Sequence, residues 1–258
     1  MKFNSFGITL SEDDNILLRS ISDKIALTEK HFSPKFTFFL DERQSELVEM
    51  IFKNSGFDNF MLFGGYDNAK RKILAVNPPY SYANSTDFPL KAVTISYRKS
   101  DSISHRDILG SLMALNIERK TVGDILVSEG KSVVFLYETV FDDVVFGIKK
   151  IGRIGVKIEE GFDESVIPEE KFKEISGTIA SLRLDCVLSL ALKISREKAA
   201  NLIKKNGVTV NCQDQFSVSY VMKENDKFSV KGYGKFVFSS INGTSKKDRI
   251  HITINKYI

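Results

Sequence analysis

Apolar and polar residues recur along this chain with two periods, and the switches between them divide it into three segments. In residues 1–80 the one-face spacing of a helix recurs over 12–30 and 42–54. Short apolar runs at 36–40, 60–63 and 72–76 predict strands, the last two flanking a turn at Gly64-Gly65. The stretch "NPPYSYANSTDFP" reads as a linker, because Pro78, Pro79 and Pro89 interrupt both periods. In residues 88–162, "LKAVTISY" predicts a strand, "SHRDILGSLMALN" a capped helix, "VGDILV" and "SVVFLY" two strands joined by "SEGK", "ETVFDDVVFGIKKI" a helix and "IGVKIEE" a last strand. That order, β-α-β-β-α-β, is the split unit of ferredoxin-like domains, which RNA-recognition motifs also use. Such motifs stack bases on aromatics of an inner strand. Phe135 and Tyr137 share one face here, but the glycine-aromatic signature of that strand is missing, so Phe135 reads as core.

The third segment, residues 177–258, opens with a helix on which Leu184, Val187, Leu188 and Ala191 share a face and Ser181 is the expected cap. A second helix follows in "SREKAANLIKKNG", capped by Ser195 and ended by Gly207, whose freedom at positive φ suits a helix end. Ala199, Leu202 and Ile203 face inward, leaving Arg196, Lys198, Lys204 and Lys205 outside. Strands at 208–211 and 227–230 are expected to cover both helices. The fold class is therefore α+β: a small amino-terminal α/β domain over 1–80, a ferredoxin-like, RNA-recognition-motif-like domain over 88–162, and a basic carboxy-terminal domain over 177–258.

Charge sharpens the last of these. The chain has 258 residues, 42% of them hydrophobic, and a net charge of +4. From Gly177 onward there are 14 Lys and Arg against 6 Asp and Glu, a surplus of +8, which leaves −4 for residues 1–176. A localised positive field is the footprint of a module that neutralises phosphates.

Several functions are excluded. No cationic start with an apolar core marks a signal peptide, and no apolar run of ~18 residues spans a bilayer, so a cytoplasmic protein without membrane insertion is expected. Cys186 and Cys212 are expected to stay reduced and free. Three scattered histidines and no C-x-x-C pair provide no metal site, and neither a phosphate-binding loop nor a nucleophile elbow occurs, so no cofactor and no small-molecule substrate are expected. "HRD" at residues 105–107 resembles a protein-kinase catalytic loop, but Leu112 stands where the required Asn would be. "RLD" at residues 183–185 resembles the catalytic triplet of pseudouridine synthases, yet those enzymes place a large domain after the module found here. Asp185 reads instead as a negative charge favoured in a helix's first turn. Asp185→Asn and Asp107→Asn are accordingly expected to spare the cellular RNA function, and the protein reads as non-enzymatic.

"LRLDCVLSLALKISREKAANLIKKNGVTVN" with "ENDKFSVKGYGKF" resembles the S-four RNA-binding domain, through Arg183-Leu184-Asp185, Ser195-Arg196, Ala199, Gly207-Val208, Asn211 and the stretch from Asp226 to Lys235. "SHRDILGSLMALNIERKTVGDILV" and "NGTSKKDRIHITINKY" resemble the bacterial YlmH family. The resemblance implies an RNA-binding protein encoded beside cell-division genes and linked to ribosome-associated quality control, engaging a large ribosomal subunit that still holds peptidyl-tRNA. Its partners would be rRNA or tRNA and that subunit. Two other readings stay open: an RNA-modifying enzyme with its active site in the first two domains, and a cell-division adaptor.

A helix amino terminus carries unpaired N–H groups and partial positive charge, so Ser195 and Arg196 sit where a phosphate is welcome. In an S-four arrangement Arg183 shares that surface. The expected RNA site is completed by Lys198, Lys204, Lys205, Asn211, Lys231 and Lys235, with Tyr233 between two glycines as a stacking platform. Asn242-Gly243 predicts a hairpin turn whose extra length would let Lys246, Lys247 and Arg249 reach RNA as well.

Overall fold

The Ser11 hydroxyl accepts from the Asp14 N–H while the Asp14 carboxylate accepts from the Ser11 N–H, a capping box that starts α1 (Glu12–His31). A second box between Asp41 and Gln44 starts α2 (Glu42–Ser55). Between and after them run β1 (Lys35–Leu40), β2 (Phe60–Phe63) and β3 (Lys72–Val76), an antiparallel sheet in the order β1-β3-β2. The helices bury Ile21, Ile25, Val48, Ile51 and Phe52 against Leu74 and Val76 on one sheet face. An ion pair from Arg43 to the buried Asp14 ties the two helix starts together. The computed structural model describes residues 10–169, 171–211, 213–244 and 248–258.

Then come β4 (Leu90–Ser96), α3 (His105–Ala114), β5 (Val122–Ser128), β6 (Lys131–Tyr137), α4 (Phe141–Gly147), a small hairpin of β7 (Lys150–Ile151) with β8 (Ile154–Gly155), and β9 (Lys157–Glu160). The sheet order is β5-β6-β4-β9 with every neighbour antiparallel, so β4 and β5 run parallel on either side of β6. This is the expected β-α-β-β-α-β unit. Its second helix is shorter than predicted: a 3-10 turn covers Glu138–Val140, α4 stops at Gly147, and the chain turns back at Gly152, where φ is 59°. α3 and α4 bury Ile108, Leu112 and Val144 against Val93, Ile95, Val134 and Leu136.

The opposite face of that sheet is not open. Ala92, Val133 and Phe135 share one buried cluster with Phe39, Ile73 and Ala75 of the first sheet. The segments expected as separate domains over 1–80 and 88–162 therefore form one unit, which ends at Pro168. A Cβ on Gly65 would lie 2.3 Å from the Phe135 ring, which also meets Tyr66 at 5.2 Å and Phe162 at 5.0 Å between centroids. Asp124 of β5 accepts from the Tyr66 hydroxyl at 2.8 Å and the Lys70 N–H at 2.7 Å. Arg71 donates to the Val122 carbonyl at 2.9 Å, and burial pulls its guanidinium down to about 10. The stretch expected as a linker is part of this core, with Phe88 buried and edge-on to Phe36 and Phe63. "KILAV" and "VVFLY" are apolar on both faces of their strands, and such strands need a cover on each side.

The second unit, Glu169–Ile258, holds β10 (Phe172–Ile179), α5 (Leu184–Leu192), α6 (Arg196–Asn206), β11 (Val208–Val210), β12 (Gln213–Gln215), β13 (Lys227–Val230), β14 (Gly234–Thr244) and β15 (Ile250–Tyr257). They form one antiparallel sheet in the order β10-β15-β14-β13-β11-β12. Leu184, Val187, Leu188, Ala199 and Ile203 bury against Phe228, Phe236, Phe238, Ile252 and Ile254. β10 begins ahead of the boundary expected at residue 177 and runs across it, pairing with β15 from Phe172 opposite Tyr257 to Ile179 opposite Ile250. Its buried residues, Ile175 and Ile179, are four apart, a spacing that fits a helix as well as a strand, and Gly177 between them on the same face supplies no apolar side chain to mark the two-residue period. The tail differs too. Asn242-Gly243 is not a turn; β14 continues through it to Thr244, across an irregularity where Gly243 has φ 105°. β14 ends at Thr244 and β15 begins at Ile250. Lys246, Lys247 and Cys212 lie outside the described residues.

Candidate nucleic-acid interface

Arg183, not Ser181, occupies the cap position of α5, and the Ser181 hydroxyl lies instead 3.5 Å from the buried Cys186 Sγ. The first N–H groups of α5 are already used: Leu184 donates to the Tyr220 carbonyl at 2.8 Å and Asp185 to the Val218 carbonyl at 3.3 Å. α5 ends at Lys193, where φ is 54°. The Ser189 hydroxyl donates to the Ile194 carbonyl at 2.6 Å and the Ile194 N–H to the Ser189 carbonyl at 3.1 Å. These bonds set the direction in which α6 leaves. Its cap is Ser195, whose hydroxyl accepts from the Lys198 N–H at 3.2 Å, and its end is Gly207, with φ 71° and ψ 165°. The positive φ is as expected; the extended ψ sends the chain straight into β11.

The centre of the interface is a carboxylate. Asp185 is 3% exposed, and it accepts from Arg183 Nε at 3.1 Å, Arg183 Nη2 at 3.4 Å and Arg196 Nε at 2.8 Å. Burial pushes the Asp185 carboxyl up, but the hydrogen bonds from Arg196 and then Arg183 outweigh it and hold it below the usual carboxylate range. One buried anion thus orients two guanidiniums on side chains that stay 37% and 53% exposed, and the cluster keeps a net positive charge. Asp185 is therefore more than the helix-turn charge that its position alone suggests. The relevant signal was in the sequence, as an Arg two residues before the Asp and another eleven after it, but only the angle between α5 and α6 closes the distance.

Lys198, Lys204 and Lys205 lie on the exposed face of α6 as expected, with Glu197 among them. Lys231, Tyr233 and Lys235 are exposed at the turn from β13 to β14, Tyr233 by 43%. Asn211 has its side chain engaged within the fold. Its amide donates to Asp226 at 2.7 Å and accepts from the Lys227 N–H at 3.0 Å, so both ends hold a turn in which Asn211 itself has φ 44°. Arg249 donates to the Thr178 carbonyl at 2.9 Å, and with Arg196 it lines a cleft of about 400 Å³ walled by Cys186, Ser189 and Leu190. The structure therefore joins the tail arginine to the helix-pair surface, across a pocket that is cationic at its rim and apolar at its wall. Among the described residues no group of His, Cys, Asp and Glu is placed to hold a metal, and no helix is long and apolar enough to cross a membrane.

Asp185→Ala tests the anchoring. Removing an anion makes the surface more positive and by charge alone would tighten RNA binding. Loss of the anchor is expected instead to weaken binding to a hairpin RNA by about tenfold, the value of one charge-assisted hydrogen bond. The stability follows the same group. Because the folded carboxyl titrates below the range of an unfolded aspartate, its contribution is full above that range and is lost as pH falls through the lower folded value. Urea melts of wild type and Asp185→Asn are expected to differ at neutral pH and to converge in acid.

Residues 83–163 match the family described as "Putative RNA-binding domain in YlmH". A solved structure, "Cell division protein ylmH from Streptococcus pneumoniae", matches 62% of this chain and 98% of its own with a TM-score of 0.53 and 27% identity. Over 232 residues, 89% of this chain and 90% of the relative, the chain is 30% identical to "Ribosome-associated protein quality control protein P2" of Bacillus subtilis (strain 168). The chain belongs to the YlmH family. In this member of the YlmH family the matched segment runs from Ala83, ahead of β4, through β9. The family's RNA-binding description thus falls on a sheet with helices on one face and the first sheet on the other.

Proposed function

We propose that this YlmH-family protein is a non-catalytic RNA-binding factor of ribosome-associated quality control, whose second unit, similar to an S-four domain, engages structured rRNA or tRNA on the large ribosomal subunit. The observation that carries the reading is the pair of guanidiniums held by one buried carboxylate beside the exposed lysines of α6. Such an arrangement grips backbone phosphates with fixed geometry and reads no base edge, which suits folded RNA better than a single-stranded motif. The name of the Bacillus relative supports the ribosomal setting. The two arginines that line one cleft, Arg196 and Arg249, support phosphate binding there.

Sedimentation with large ribosomal subunits through sucrose at low and high salt tests this. Co-migration is expected at low salt and is lost at high salt. Arg196→Ala with Lys198→Ala, assayed where the variant remains folded because Asp185 loses a partner, is expected to lower the slope of log affinity against log salt by about 0.7 to 0.9 for each phosphate no longer neutralised. Any division defect of a deletion strain is expected to reappear in that double variant. Binding that survives it undiminished, or an altered nucleoside profile in the deletion strain, would turn the assignment toward another surface or toward RNA modification.

A further inference from the structure

The first unit has its own cationic surface, away from the buried sheet face. Between Lys149 and Lys157 the chain reads "KKIGRIGVK", four cations without an acid, in a molecule whose residues 83–163 otherwise mix both signs. Lys150 and Arg153 stand on the β7–β8 hairpin, whose turn is formed by Gly152 and Arg153, and all four cations are exposed. Lys157 is paired with Glu159 at 2.8 Å, whereas Lys149 makes one long bond, 3.4 Å, to the Val145 carbonyl. Beside the hairpin runs an open groove of about 490 Å³ lined by Ser96, Tyr97, Arg98, Lys149, Gly155 and Lys157. Three residues before Lys149, Phe146 is 71% exposed at the end of α4.

We propose that the β7–β8 hairpin, the adjoining groove and Phe146 form a second RNA-binding surface, with Lys149, Lys150, Arg153 and Arg98 on phosphates and the Phe146 ring under a base. Three observations converge on it. An RNA-binding domain of this topology ordinarily uses the sheet face opposite its helices, and here that face is filled by Phe39, Ile73 and Ala75, with Phe135 fully buried. RNA must then meet residues 83–163 elsewhere. An acid-free run of cations beside an open, shallow groove provides the electrostatic footprint for a phosphate backbone. A solvent-facing phenylalanine ring three residues before Lys149 offers a face on which a base can stack.

The inference rests on the RNA-binding reading above, and full-length variants separate the two. The probe is a hairpin RNA with an unpaired loop, bound over a range of salt concentrations. Lys149→Ala with Lys150→Ala and Arg153→Ala is expected to lower the salt slope by about 2 and the affinity near ~0.1 M salt by tenfold or more. Phe146→Ala is expected to weaken binding about fivefold or more with the slope unchanged, because stacking displaces no counterions. Lysine acetylation read by mass spectrometry is expected to show Lys149 and Lys150 protected by that RNA. If the triple variant binds as wild type does while Arg196→Ala with Lys198→Ala is impaired, the hairpin makes no RNA contact and the proposed function stands. If wild type binds no structured RNA, both fall. Protection of these lysines by anionic phospholipid vesicles and not by RNA would assign the surface to a membrane and overturn the inference.

Discussion

A chain begun at Glu169 is expected to unfold in one cooperative transition, and a chain begun at Gly177 is expected to have no stable fold. The difference is five residues of β10, Phe172 through Ser176, each paired with β15. Ile175, 9% exposed in the full protein, is removed outright, and Phe172 leaves the ring of Tyr257, 4.9 Å away. Burying one such aliphatic side chain contributes about 1.5–3 kcal/mol. Each ladder bond removed adds roughly 0.5–1.5 kcal/mol. The sum approaches the entire stability of a small domain, about 5–15 kcal/mol. Removing these five residues also leaves β15 from Thr253 to Tyr257, with Ile254, as an unpaired edge prone to association. Circular dichroism melts of the two fragments check this, and equal melting temperatures would refute it. RNA binding belongs in the longer fragment, because α5, α6 and their cations rest on the sheet that β10 completes.

Phe135→Ala is expected to cost the first unit about 3–5 kcal/mol, the usual loss for a phenylalanine emptied from a core. The ring is fully buried, and it fills the space that Gly65 leaves open between the two sheets. The functional half of the expectation is sharper. At temperatures where the variant stays folded, its affinity for a hairpin RNA is expected to match wild type. An aromatic stacked under a base would give the opposite result, intact stability with weakened binding by about 1–3 kcal/mol. A denaturant titration and a binding isotherm on the same preparation separate the two outcomes.

Local order was legible in the sequence wherever a segment's own period or end chemistry decides it. The α6 pattern, with Ala199 and Ile203 inside and the cations outside, the Ser195 cap, and the sequence of strands and helices along the middle segment follow from side-chain spacing and from groups a few residues apart. The concentration of positive charge after Gly177 is likewise a property of the chain itself. What the sequence could not settle were pairings between distant segments. The buried face of the middle sheet depends on β1 and β3 coming to lie against β6, and apolar residues on both sides of a strand announce a second cover without saying which element supplies it. β10 escaped notice because its two inward residues sit at a spacing that a helix shares, and only pairing with β15 makes it a strand. Arg183, Asp185 and Arg196 were all visible as charges. That one carboxylate holds both guanidiniums was decided by the fold alone, since a hydrogen bond of about 3 Å exists only where the helix pair places its ends together.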